Sequence, residues 1–151
     1  MKEILTTAKE TLQENIGQDR IMALATRNGE GVASRTVNVY TYKDDFYFVT
    51  EENSNKYAQM SQNNKVALSA DAIQITGNAI LLDHPCSESN KEFVKFVETQ
   101  LPGQMDKYSA EPLKRLIKIE PVNAGFILLQ KGQGYAINYE ENMAFPIKIG
   151  R

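Results

Sequence analysis

Only one cysteine, Cys86, stands among the 151 residues, and only one histidine, His84. A single thiol excludes an internal disulfide and any C-x-x-C zinc or redox centre. A single imidazole removes two-histidine metal motifs and a histidine pair for acid–base work. No apolar run approaches the roughly 18–20 residues of a membrane-spanning helix. The opening Met1-Lys2-Glu3-Ile4-Leu5-Thr6-Thr7 lacks the continuous apolar stretch of a signal peptide. Neither sign of charge dominates: 17 Lys+Arg face 19 Asp+Glu, a net charge of −2. No broad positive field collects nucleic acid, so an anion would have to be held by a local site. These absences predict a cytoplasmic protein with neither nucleic acid nor membrane as partner, its chemistry borrowed from a cofactor. With 42% hydrophobic residues the chain has material for one core, and a single domain over residues 1–151 is expected.

The pattern along the chain changes period once. Ile4, Ala8, Leu12 and Ile16 are spaced by four and stack on one helix face, which Gly17 ends. A period of two follows. Ile21, Ala23 and Ala25 share a strand face, and Asn28-Gly29-Glu30-Gly31 signals a hairpin. Strands are expected from Val32 to about Tyr42, then over Phe46–Thr50 after a turn at Lys43-Asp44-Asp45. Ser54 is placed to cap a short helix that ends at Asn63-Asn64. Val66–Ala70 and Ile73–Leu82 read as strands, the second alternating Ile73, Ile75, Gly77, Ala79 and Leu81 with polar residues. After His84-Pro85, the Ser89 to Glu92 spacing predicts a capping box. It opens a helix with Phe93, Phe96, Val97 and Leu101 on one face, closed by Pro102-Gly103. Leu116–Glu120, Val122–Leu129 and Gly134–Tyr139 complete the strands. Such a series does not alternate strand with helix, so a parallel sheet is excluded. The pattern fits a mainly β (α+β) fold: a largely antiparallel β-barrel of about six or seven strands with three flanking helices that close its openings.

The common catalytic signatures are missing. Gly29-Glu30-Gly31 and Gly132-Gln133-Gly134 extend to neither a dinucleotide nor a P-loop motif, and no G-x-S-x-G occurs. His84 reads as a turn histidine, Cys86 as a small half-buried residue or a thiol near a helix start. Arg35 is more informative. It shares its strand face with Ala33, Val37 and Val39, where an unmatched charge is costly. No carboxylate lies two residues to either side, so its partner is a distant acid or a ligand. Lys56 falls in the first turn of the helix capped by Ser54, where the helix dipole favours negative charge. It is a solvated lysine or, with the helix N-terminus and the hydroxyls of Ser54 and Thr50, part of a phosphate cradle.

Ser34-Arg35-Thr36-Val37-Asn38-Val39, Phe46-Tyr47-Phe48-Val49-Thr50, Ser54-Asn55-Lys56 and Asn63-Asn64-Lys65-Val66-Ala67-Leu68 follow one another at fixed spacings. With Ile75-Thr76-Gly77-Asn78-Ala79 and the weaker Ile117-Lys118-Ile119-Glu120-Pro121, the stretch from about Arg20 to Leu129 resembles the pyridoxamine 5′-phosphate oxidase-like FMN-binding split barrels. The resemblance implies FMN as cofactor, with Arg35 and Lys56 on its phosphate and Thr50, Ser54 and Asn55 as neutral donors. Thr36, Val37, Asn38, Val39 and Val49 would complete the cofactor-binding set, the backbone of Val37–Val39 passing along the flavin ring. It also implies a homodimer with flavin at the subunit interface, and NAD(P)H or a small molecule as the other reactant.

Oxidases of the family end in a strand bearing a tryptophan and an R-x-H motif. Here there is no tryptophan, the one histidine is far upstream, and Ala72 stands where a flavin-contacting glutamine is expected. The resemblance therefore implies an NAD(P)H-linked oxidoreductase with an unknown small substrate, or a non-catalytic flavin- or haem-binding module, ahead of vitamin B6 oxidation.

Overall fold

Six β-branched- and aromatic-rich segments pair edge to edge until the sheet meets itself. The computed structural model describes residues 3–128 and 133–148. Its strands are β1 (Arg20–Asn28), β2 (Gly31–Tyr42), β3 (Asp45–Glu51), β4 (Lys65–Ala70), β5 (Ile73–Leu81), β6 (Lys114–Leu128), β7 (Gln133–Asn138) and β8 (Met143–Lys148). The helices are α1 (Ile4–Ile16), α2 (Asn55–Gln62) and α3 (Lys91–Gln100). The order β3-β2-β1-β4-β5-β6-β7-β8 is antiparallel throughout, and an added β3–β6 ladder, Phe46 opposite Ile119 to Glu51 opposite Lys114, closes the first six into a barrel. Closure covers most of the sheet edges those strands would otherwise expose, but not the edge of β2 before Tyr40.

Alternation decides what lies inside. Met22, Leu24, Val37, Val39, Phe46, Phe48, Leu68, Ile75, Ile117 and Ile119 point inward and are buried together. The face shared by Ile21, Ala23 and Ala25 is the outer one. Ala8, Leu12 and Ile16 of α1 and Met60 of α2 join that core, so these two helices close the barrel as expected. The third does not close an opening. Phe93 and Val97 of α3 pack on the outside of the wall against Tyr40, Tyr47, Met105 and Leu116, with Tyr40 and Phe93 edge to face at 6.2 Å.

Three local expectations are corrected. Ser89 does not cap α3: its hydroxyl donates to Asp83 (2.8 Å), and a 3₁₀ turn over Glu88–Asn90 precedes the helix. The segments around Pro121 form one strand, β6, bent where the β5–β6 register shifts between Thr76 and Gly77. A side chain at Gly77 would meet the Glu120 carbonyl at 2.5 Å, so glycine permits that close passage. Beyond the bend β6 stays paired with β5 as far as Phe126 opposite Ile73 and takes β7 on its other edge, and β7 pairs with β8, a strand not foreseen from the sequence. The expected strand end at Leu129 and the first glycine of Gly132-Gln133-Gly134 lie outside the described residues. No described helix is long and apolar enough to cross a membrane.

Candidate functional site

The barrel wall is open between β2 and β3. Lys43 and Asp44 both take left-handed conformations (φ 49° and 68°), a two-residue turn that starts the two strands side by side. They stay paired only from Tyr40 opposite Tyr47 to Tyr42 opposite Asp45. From Val32 to Val39, β2 pairs with β1 alone, so its other edge has no strand partner among the described residues. Unpaired strand edges carry backbone donors and acceptors in need of partners. Val37 and Val39 turn their side chains into the core, Thr36 is exposed, and Asn38 donates to Asp19 (2.9 Å) and to the Tyr40 hydroxyl (3.2 Å).

Arg35 stands on this strand, half-buried. Its Nη1 donates to Thr26 Oγ1 at 2.7 Å and to the Leu24 carbonyl at 3.4 Å, and its Nη2 to Gln59 Oε1 at 2.7 Å. Thr26, only 2% exposed, donates its own proton to the same Gln59 oxygen at 2.6 Å. The guanidinium is therefore held by neutral groups, and burial moves its pKa below the ordinary arginine value. No acid pairs with Arg35 among the described residues, which leaves the distant ion pair without support.

Gln59 belongs to α2, which begins just beyond the end of β3 and reaches across to β1 and β5. Ser54 caps it as expected, accepting from the Tyr57 amide at 3.2 Å. Thr50, buried at the end of β3, shares a hydrogen bond with the Ser54 hydroxyl at 3.1 Å and so ties strand to helix. Asn55 is exposed. Lys56 forms no ion pair among the described residues. Glu51 is held below the usual carboxylate range chiefly by its hydrogen bond with Lys114, with a smaller contribution from Lys56. Val49 is half-buried against the outer cluster of Tyr40 and Phe93. Thr50 and Ser54 thus meet at the start of α2, where Lys56 lies in the first turn, while Arg35 reaches the same helix one turn further on, at Gln59; Thr36 to Val39 lie along the open edge.

Two members of this cluster escape the sequence reading. Thr26 gives a faint signal, a hydroxyl on the inward face with Met22 and Leu24. Gln59 gives none beyond lying one turn after Lys56, because its partner is 24 residues away.

The remaining candidates stay apart. The Cys86 amide donates to His84 Nδ1 (3.0 Å), so Nε2 carries the proton and faces the Glu111 carbonyl at 2.9 Å; both nitrogens are occupied. Burial, then Asp106 and Glu98, push the Cys86 thiol up, against a reactive thiolate. The segment after α3 folds back on its own chain: Met105 is fully buried there, and Gln104 donates to the Tyr40 hydroxyl at 2.8 Å. A cavity of about 350 Å³ lies on the outer face of the barrel, lined by Ala25, Thr26, Arg27, Lys65, Gly77 and Glu140 among others.

The family model for pyridoxamine 5′-phosphate oxidase matches residues 8–127. The chain belongs to the pyridoxamine 5′-phosphate oxidase-like family. The matched stretch spans β1 to β5 and all but the end of β6, so the open edge of β2 and the cluster at α2 lie within it. A comparison with curated proteins finds no match by sequence. Among solved structures this oxidase-like barrel is similar to a pyridoxamine 5′-phosphate oxidase-related, FMN-binding protein from Nostoc punctiforme, at 14% identity over 97% of this chain and 95% of that one, TM-score 0.62. It is also similar to a NimC/NimA family protein from Clostridium acetobutylicum, at 19% identity over 92% and 93% of the two chains, TM-score 0.58. Campylobacter jejuni ChuZ shares 19% identity over 92% of this chain and 62% of its own, TM-score 0.68. At such identities these likenesses establish the fold, an FMN-binding type of barrel in at least one relative.

Proposed function

We propose that this oxidase-like barrel binds FMN and acts as an NAD(P)H-linked oxidoreductase on a small substrate, as one domain over residues 1–151. The observation that carries the reading is Arg35, a half-buried cation with only neutral partners among the described residues, bound to Gln59 one turn into the capped helix whose first turn bears Lys56. That donor set suits a phosphate dianion: two cations, the first-turn amides of α2 and the Thr50–Ser54 hydroxyl pair. The unpaired edge of β2 from Val32 to Val39, including Thr36, Val37, Asn38 and Val39, offers backbone donors and acceptors for the heteroatoms of a flavin ring. Val49 and Asn55 stand at the margins of the same site. When bound, the flavin supplies the hydride chemistry, and the protein's part is to hold and orient it.

Supporting this over a haem module is the engagement of both His84 nitrogens away from the cluster. Protein purified from cells is expected to be yellow and to bleach with NADH or NADPH under anaerobic conditions. Colourless protein that takes up no added FMN would overturn the reading, and a flavin stable to both nucleotides would reduce it to flavin binding alone.

We further propose a homodimer with the flavin at its interface. The outer face of β1 carries Ile21, Ala23 and Ala25, with Ile21 61% exposed, and neighbouring β2 carries Val32, 77% exposed. Small and apolar side chains there leave an exposed apolar surface that a second copy can cover. Sedimentation of the flavin-loaded protein at micromolar concentration is expected to give twice the chain mass; a monomer would contradict the proposal.

A further inference from the structure

Arginines on the inward face of a barrel strand need acceptors, and a carboxylate is the strongest available. Here the acceptor is an amide. Gln59 Oε1 receives both Arg35 Nη2 (2.7 Å) and the Thr26 hydroxyl (2.6 Å), while Thr26 Oγ1 receives Arg35 Nη1 (2.7 Å). These three side chains close a ring of hydrogen bonds that fixes the guanidinium plane between β1, β2 and α2. Arginine has five N–H donors. The bonds above engage Nη1 and one hydrogen of Nη2, and the Nε–H and the other Nη2 hydrogen have no partner among the described residues. A glutamate in place of Gln59 would accept the same two bonds and neutralise the cation as well.

Resting on the flavin reading, we propose that Gln59 is a positioning residue that sets ligand selectivity: it orients Arg35 while leaving its positive charge uncancelled, so the site selects a phosphorylated flavin over the same flavin without phosphate. Thr26 is the second support of the same ring. The role is specific to charge. A merely structural Gln59 would tolerate glutamate, which is the same length and supplies the acceptor that both donors need.

Affinities for FMN and for riboflavin, measured by quenching of flavin fluorescence, separate these roles. The proteins compared are wild type, Gln59→Glu, Gln59→Leu and Arg35→Ala. Gln59→Glu is expected to keep its thermal midpoint and its riboflavin affinity within about twofold, and to bind FMN about tenfold or more weakly. Gln59→Leu, which removes the acceptor but not the charge, should lose less FMN affinity than Gln59→Glu. If Gln59→Glu binds FMN as wild type does while Arg35→Ala does not, the role of Gln59 is refuted and the phosphate site stands. Equal loss of FMN and riboflavin in Gln59→Glu would also refute it, as a general structural effect. If Arg35→Ala leaves the preference for FMN over riboflavin intact, the phosphate reading itself falls, and this inference with it.

Discussion

Replacement of Arg35 or Lys56 by alanine is expected to weaken FMN binding by at least about tenfold each. A hydrogen bond to a charged group contributes about 1.5–3 kcal/mol, and ~1.4 kcal/mol is a factor of ten. Arg35 should show the larger loss, because hydrogen bonds to Thr26 and Gln59 hold it in place, whereas Lys56 on the first turn of α2 has no hydrogen-bond or ion-pair partner among the described residues to order its side chain. Riboflavin, lacking the phosphate, should bind Lys56→Ala as it binds the wild type. Arg35→Ala also strips two donors from the Thr26–Gln59 pair, so its thermal midpoint should fall somewhat and must be read beside its affinity. Titration calorimetry giving unchanged FMN affinity in both variants would sink the phosphate assignment.

The second large effect is a reaction that should not occur. Pyridoxamine 5′-phosphate is expected to leave the bound flavin oxidised over the time in which NADH or NADPH bleaches it. A phosphorylated substrate needs an anion site of its own beside the flavin. Lys114 is paired with Glu51, Arg115 with Glu52 (2.9 Å), and Lys118 with Asp45 and Glu120 (3.6 Å each). Arg27 and Lys65 line the outer cavity, but Glu140 shares it. β7, Gln133–Asn138, is uncharged and carries no R-x-H arrangement. A second buried anion without a matched cation binds poorly. Anaerobic stopped-flow mixing of the FMN-loaded protein with each compound is the test, and rapid bleaching by pyridoxamine 5′-phosphate would restore the oxidase assignment.

Much of the local structure was legible in the sequence because its signals act over a few residues. The alternation from Ile73 to Leu81 is the alternation of β5, with Ile73, Ile75 and Ala79 buried. The hairpin at Asn28–Gly31 and the Ser54 cap form where their residue types require them. Arg35 was marked by a charge on an apolar face with no nearby acid, a rule of solvation that needs no coordinates. β8 escaped because it is an edge strand containing Pro146, with Met143 and Phe145 left exposed, so burial does not shape its pattern.

Pairing at long range was decided only in the folded molecule. Barrel closure joins Phe46 to Ile119, and neither segment names its partner, since any two apolar strands satisfy the same local pattern. Ser89 had the spacing of a capping box but found Asp83 within 2.8 Å, and the nearer carboxylate won. The same competition settled the site. The sequence by itself determined that Arg35 had to find a compensating partner. Only the tertiary structure decided that the partners are Thr26 and Gln59, neutral acceptors from β1 and α2 that hold the guanidinium in place without cancelling its charge.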